Sequence, residues 1–249
     1  MLTQRHIQFA QILDLYFSPA YSHHWPTIQR HSRSDSDEDF AILIGFVLEA
    51  MRLSPAAFGV FRTVNSSAVP SSGSDSNTAT VNIPGCTTPA ESNTTVPVPT
   101  GSTLFLNFAA ANTDASAFPS PLEIQTNRPK SAYLTQGAGM HTCIGRELTP
   151  VALAGMLRAF GRLDGLAPVA ESMYEDQHDG SKSWIKSRAF LVGGERTPFR
   201  VFMRPDGSDD WPFPTTLRMR FSGFEGSDGA TFDCDRVEGE GRKHWWDWE

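Results

Sequence analysis

Apolar side chains recur at Phe9, Ile12, Leu13, Tyr16 and Phe17. That i, i+3, i+4, i+7, i+8 spacing predicts an amphipathic helix over 6–17. The stretch 18–37 is polar and reads as a loop, with Trp25-Pro26 and an acidic-serine run. Its adjacent His23 and His24 cannot both face one metal from a helix, so they read as solvated residues. A second stripe, Leu43, Phe46, Val47, Ala50 and Met51, predicts a helix from about 39 to 53, which Asp37 or Asp39 can cap. Glu49 and Arg52 lie three apart on its flank, close enough to meet each other and a third group. Phe58 to Val64 reads as a strand. Residues 65–97 are rich in Ser, Thr, Pro, Asn and Gly and read as a flexible insertion with one short strand at 79–83. Helical periodicity returns over 145–163, with Leu148, Val151, Ala152, Met156, Ala159 and Phe160 available for the inner face. Pro150, in the first turns, predicts a local kink. Phe199 to Arg204 alternates as a strand, and Trp211 to Phe221 is a proline-rich approach to another. Residues 225–249 form an irregular tail that ends with Trp245, Trp246 and Trp248.

Composition narrows the classes. The 249 residues contain 39% hydrophobic positions and carry a net charge of −7, which argues against a nucleic-acid or polybasic membrane surface. No run of eighteen apolar residues exists, and the first residues do not read as a signal peptide. Cys86, Cys143 and Cys234 are widely spaced and odd in number, which fits a reducing compartment better than a disulfide scaffold. Cys86 reads as a bystander. The expectation is an intracellular, cytoplasmic protein with no transmembrane segment and no nucleic-acid partner.

One stretch carries the chemistry: Gln136-Gly137-Ala138-Gly139-Met140-His141-Thr142-Cys143-Ile144-Gly145-Arg146-Glu147-Leu148. A single cysteine is bracketed by glycines, which allow tight turns and a close approach to a flat partner. A thiolate in this loop, at the start of the predicted helix, is a soft metal ligand whose charge suits the helix dipole. One thiolate does not make a zinc or iron–sulfur site, since those need several convergent ligands. It suffices for heme iron, where the porphyrin supplies four nitrogens.

The run resembles the cysteine-ligand loop of cytochromes P-450, with Gln136 where that family usually has Phe. Two further features fall in register. Glu49-Ala50-Met51-Arg52 is similar to the family's E-x-x-R pair, and Arg128 in Asn127-Arg128-Pro129 stands where the family places a third, arginine, member. Val96 to Leu106 resembles the family's turn and strand, and Asn107 to Asp114 its following helix. Residues 47–54, 127–129 and 211–216 are similar to the C-terminal domain of the fungal linoleate diol synthases and psi-producing fatty-acid oxygenases.

The resemblance implies the C-terminal half of a P-450 fold, mainly α with small β elements, over residues 1–224. It implies heme b (iron protoporphyrin IX) on Cys143, with His141 and Arg62 at the propionates and Gly137, Gly139 and Gly145 shaping the loop. Glu49, Arg52 and Arg128 would form a structural, heme-retaining network. Gln4 falls nearest the family's distal amide. The implied reaction is fatty-acid hydroperoxide isomerisation in oxylipin formation. The implied partners are an N-terminal P-450 half and a peroxidase-like dioxygenase domain. A truncated, catalytically incompetent remnant or incomplete gene model is the alternative, since a complete P-450 domain is nearly twice this length. The apolar face of 6–17 and one heme face would then stand open. A reductase-dependent monooxygenase is a further alternative, which the acidic balance disfavours.

Overall fold

Phe9, Ile12, Leu13 and Tyr16 are all buried along one face of α1 (Leu2–Tyr16). The computed structural model describes residues 2–57, 59–65, 78–83, 94–137, 139–168, 185–192, 195–202, 217 and 219–224. The chain's own helices cover the α1 face that the sequence left open: α2 (Trp25–Ser32), α3 (Asp37–Leu53) and α5 (Leu148–Gly161) build one core with it. Phe9 meets Phe160 edge-on, with ring centroids 4.9 Å apart. The Tyr16 hydroxyl donates to the Phe46 carbonyl at 2.6 Å, so a fully buried phenol is satisfied where α1 meets α3.

The stripe of α3 is as expected, with Leu43, Phe46, Val47, Ala50 and Met51 all buried. Leu43, Phe46, Val47 and Met51 each contribute about 1.5–3 kcal/mol when fully removed from water, and Ala50 less. Its cap is Ser36 rather than Asp37 or Asp39. The Ser36 side chain accepts from the Asp39 backbone N–H at 3.1 Å, and its hydroxyl donates to the Asp39 carboxylate at 2.8 Å. Hydrogen bonds from Ser34, His31 and Ser36, in that order of effect, hold the Asp39 carboxyl down to about 2.

Three helical expectations change. Residues 18–37 are not all loop: a 3-10 turn at Ser22–His24 leads into α2. Its buried residues are Trp25, Ile28 and Ser32, and a serine on the inner face conceals the periodicity. The last helix begins at Leu148, not Gly145. It buries Pro150, Leu153, Ala154, Leu157 and Gly161, while Leu148 and Val151 of the expected inner face are exposed. This helix is apolar nearly all round, so its period does not select a face. Pro150 occupies the third helical position, where the missing N–H costs no intrahelical bond and demands no kink.

The β structure consists of antiparallel two-stranded ladders among the described residues. The strands are β1 (Gly59–Thr63), β2 (Thr78–Ile83), β3 (Thr94–Pro99), β4 (Thr103–Asn107), β5 (Leu163–Asp164), β6 (Ala167–Pro168), β7 (Ile185–Val192), β8 (Glu195–Phe202), β9 (Met219–Arg220) and β10 (Gly223–Phe224). Strand β1 pairs with β4, with Phe61 opposite Phe105. Strand β2 pairs with β3, so the 65–97 segment holds a hairpin arm rather than one lone strand. The rest of that segment, with Cys86, lies outside the described residues, as does the 225–249 tail. Strand β8 covers most of the alternating 199–204 stretch and pairs with β7. Ladders β5–β10 and β6–β9 follow α5. A short helix, α4 (Phe108–Asn112), succeeds β4 and is capped by the Asn107 side chain, which accepts from Ala110 N–H at 3.1 Å.

Candidate functional site

Glu49 and Arg52 lie one helical turn apart at the C-terminal end of α3, and both are fully buried. The pair is bidentate. Arg52 Nε donates to Glu49 Oε1 at 2.9 Å and Nη2 to Oε2 at 2.8 Å, a geometry that fixes both side chains. The remaining acceptor positions of Glu49 receive the Tyr133 hydroxyl at 2.8 Å, the Gln125 N–H at 3.1 Å and Arg128 Nε at 3.3 Å. Arg52 in turn donates to the carbonyls of Asn112, Pro121 and Glu123. The guanidinium of Arg52 lies over the Phe118 ring at 4.9 Å. Burial alone would push the Glu49 carboxyl up. The bonds from Arg52, Gln125 and Tyr133 outweigh it and hold the group below its ordinary value.

This network ties α3 to the chain between α4 and the cysteine loop. A close backbone approach completes it: a Cβ on Gly45 would come within 2.3 Å of the Thr126 carbonyl oxygen. The structure thus brings Glu49, Arg52 and Arg128 together. Tyr133 joins them, and no motif in the sequence pointed to it.

The cysteine loop is built from local hydrogen bonds. Gly137 N–H donates to the Leu134 carbonyl at 2.9 Å, and Cys143 N–H returns to the Gln136 carbonyl at 2.8 Å, closing the loop on itself. Gly137 and Gly139 hold φ of +78° and +60°, where a side chain would be strained. Gly145 N–H points at Cys143 Sγ, 3.4 Å away. The thiol does not sit on the helix terminus itself, because a turn at 144–147 separates it from α5. His141 ends a 3-10 turn at Gly139–His141. Among its neighbours, Met140 is 93% exposed and Ile144 89%.

Cys143 lines a cleft of about 340 Å³ together with Gln136, Gly137, Gly145 and Arg62. Met51, Pro55, Val60 and Phe108 supply apolar walls. Arg62 is an exposed residue of β1 whose guanidinium also donates to the Phe61 carbonyl at 2.8 Å. Gln4 belongs to the first turn of α1, and its side chain lies outside the described residues. Besides Gln136, the glutamine that reaches the cleft is Gln8, one turn beyond Gln4 and buried. Sequence reasoning missed it because it sits on a helix read only for its apolar face.

The chain is similar to known proteins in sequence and in fold. The chain is 30% identical over 242 residues to a bifunctional dioxygenase–epoxy alcohol synthase of Fusarium oxysporum, covering 96% of this chain and 16% of that one. It is 30% identical over 213 residues to a linoleate 10R-lipoxygenase of Aspergillus fumigatus, covering 86% and 16%. A 7,8-linoleate diol synthase of Pyricularia oryzae is 24% identical over 229 residues, covering 85% and 19%. The chain therefore spans less than a fifth of the length of these relatives. No family model matches. Among solved structures, CalO2 is similar with a TM-score of 0.50 at 15% identity, over 88% of this chain and 40% of that one. The P450 heme domain of Tepidiphilus thermophilus is similar with a TM-score of 0.48 at 17% identity, over 73% and 36%. The chain is a P-450-like domain: part of a cytochrome P-450 fold, homologous over most of its length to the fungal fatty-acid oxygenases and diol synthases.

Proposed function

We propose that this chain is the heme-thiolate part of an oxylipin-forming enzyme, with heme b as cofactor and a fatty-acid hydroperoxide as substrate. The observation that carries the reading is the Cys143 thiol, exposed on a glycine loop and lining an apolar-walled cleft with a backbone N–H directed at its sulfur. This donor set fits an iron that brings four ligands of its own. Among the described residues no group of three or more His, Cys, Asp or Glu side chains could hold a metal ion unaided.

When bound, a thiolate-ligated heme iron favours O–O cleavage. The chain's residues have separate tasks. Cys143 would hold the iron through its thiolate, and the Gly145 N–H would tune the sulfur by donating to it. Arg62, on the cleft wall, and His141, whose side chain lies outside the described residues, would pair with the propionates. Gln4 is the distal candidate. Glu49, Arg52 and Arg128 hold the cysteine loop against α3. A hydroperoxide carries its own weak O–O bond, so its conversion to a diol or an epoxy alcohol is an isomerisation and calls for no external electrons. The names of the relatives, which specify linoleate and epoxy alcohol, support an unsaturated fatty-acid substrate. An N-terminal P-450 half and a peroxidase-like dioxygenase domain are the proposed partners in the complete activity.

The test is the absorption spectrum of the purified chain reconstituted with heme, reduced and exposed to carbon monoxide, beside Cys143→Ala. A red-shifted Soret band of thiolate type, lost in the variant, is the expected result and justifies assays with linoleate hydroperoxides. A spectrum indifferent to the substitution, or no heme uptake, overturns the proposal.

A further inference from the structure

We propose that Gln8 is a positioning residue that sets one wall of the cysteine cleft. Both ends of its carboxamide grip the segment that follows α3. Gln8 Nε2 donates to the Ser54 carbonyl at 3.1 Å, and the Ala56 N–H donates to Gln8 Oε1 at 3.1 Å. The gripped segment supplies Pro55, Ala56 and Ala57 to the same cleft that Cys143 lines. Gln8 is only 6% exposed. A carboxamide is the side chain that fits here: it presents one donor and one acceptor on a short, rigid group, matching one carbonyl and one N–H two residues apart.

The consequence is a division of labour along the chain. The helix α3 ends at Leu53, and the Ser54 N–H still bonds back to Ala50 at 2.8 Å. Beyond that point the backbone has left the helix, and Gln8 supplies the bonds that the ladder no longer can. The shape of the cleft at 55–57 thus depends on α1, nearly fifty residues earlier in the sequence. The role of that wall in ligand discrimination rests on the heme-thiolate reading above. The clamp itself does not.

The test uses the full chain in two arms. In the cofactor-free protein, amide hydrogen exchange is followed at Ala56 and Ser54 in the native chain, in Gln8→Leu and in Gln8→Glu. Exchange at Ala56 should be about tenfold faster in Gln8→Leu, the ratio expected for a lost hydrogen bond of ordinary strength. Ser54 should be unchanged. Gln8→Glu keeps the acceptor and should retain protection at Ala56, so a Leu variant that fails to fold still leaves the clamp decidable. Unchanged Ala56 exchange in Gln8→Leu, or lost protection in Gln8→Glu, overturns the clamp. In the heme-loaded protein, imidazole and 4-phenylimidazole are titrated by the Soret shift. Gln8→Leu should change the affinity for the phenyl compound roughly tenfold while leaving imidazole alone. Equal affinities overturn the wall-setting role. Failure of the native chain to take up heme overturns the heme-thiolate reading, while the exchange arm still decides the clamp.

Discussion

The charge network around Glu49 and the cysteine loop adjoin in sequence only where Tyr133 precedes Gln136, and they are opposite in character. Glu49 accepts five hydrogen bonds and has no exposed surface. The cysteine loop keeps its thiol exposed, and Met140 and Ile144 beside it are nearly fully exposed. The first region is saturated by this chain alone. The second is held in shape by its own backbone bonds and offers Met140, Cys143 and Ile144 outward. On the heme-thiolate proposal, stability and binding fall in different places, which substitutions can separate.

The largest effect should come from Arg52→Ala. Removing one partner of a buried network leaves Glu49 uncompensated and should cost about 3–5 kcal/mol in urea unfolding. A loss below about 1 kcal/mol, the level of an exposed pair, would erase the distinction between the two regions. Acid should act on the same network and on the cap of α3. Glu49 and Asp39 both have folded-state pKa values below their ordinary ones, Asp39 at about 2. A depressed carboxylate contributes stability that is complete above its unfolded pKa of about 4 and drains away as pH falls through the folded value. Thermal midpoints should therefore decline below pH 4 and fall further toward 2, with the Glu49 share missing in Arg52→Ala. A flat profile from pH 5 to 2 would contradict this.

Next in size is Gly45→Ala. Its new methyl meets the Thr126 backbone, which cannot swing aside, so an overpacking cost of about 1–3 kcal/mol is expected by the same unfolding measurement. Ser36→Ala removes the cap of α3 and should cost about 1 kcal/mol, read from the thermal midpoint. Smallest is Cys143→Ala. Without cofactor it should shift stability by less than about 0.5 kcal/mol, because the thiol fills no core. A large loss there would mean that the loop is part of the core.

The sequence made the buried faces of α1 and α3 legible because their apolar residues recur cleanly among polar ones. The Glu49-Arg52-Arg128 triplet and the cysteine loop were legible through family resemblance, and spacing alone allowed only the first pair. Other features had no such signal. The inner face of α2 includes Ser32, and α5 is apolar on several sides, so period could not orient either helix. Gln8 acts through two hydrogen bonds and Tyr133 through one, to groups 46 to 84 residues distant, and a linear reading holds no trace of such pairings.

The β1–β4 ladder has a colloidal consequence. Phe61, Leu106 and Phe105 are 69%, 46% and 43% exposed on a two-stranded ribbon with no third strand beside it among the described residues. Such an edge is a template for another strand. At high concentration the isolated chain should therefore self-associate edge to edge, and the aromatic ribbon, rather than the net charge of −7, would govern its solubility.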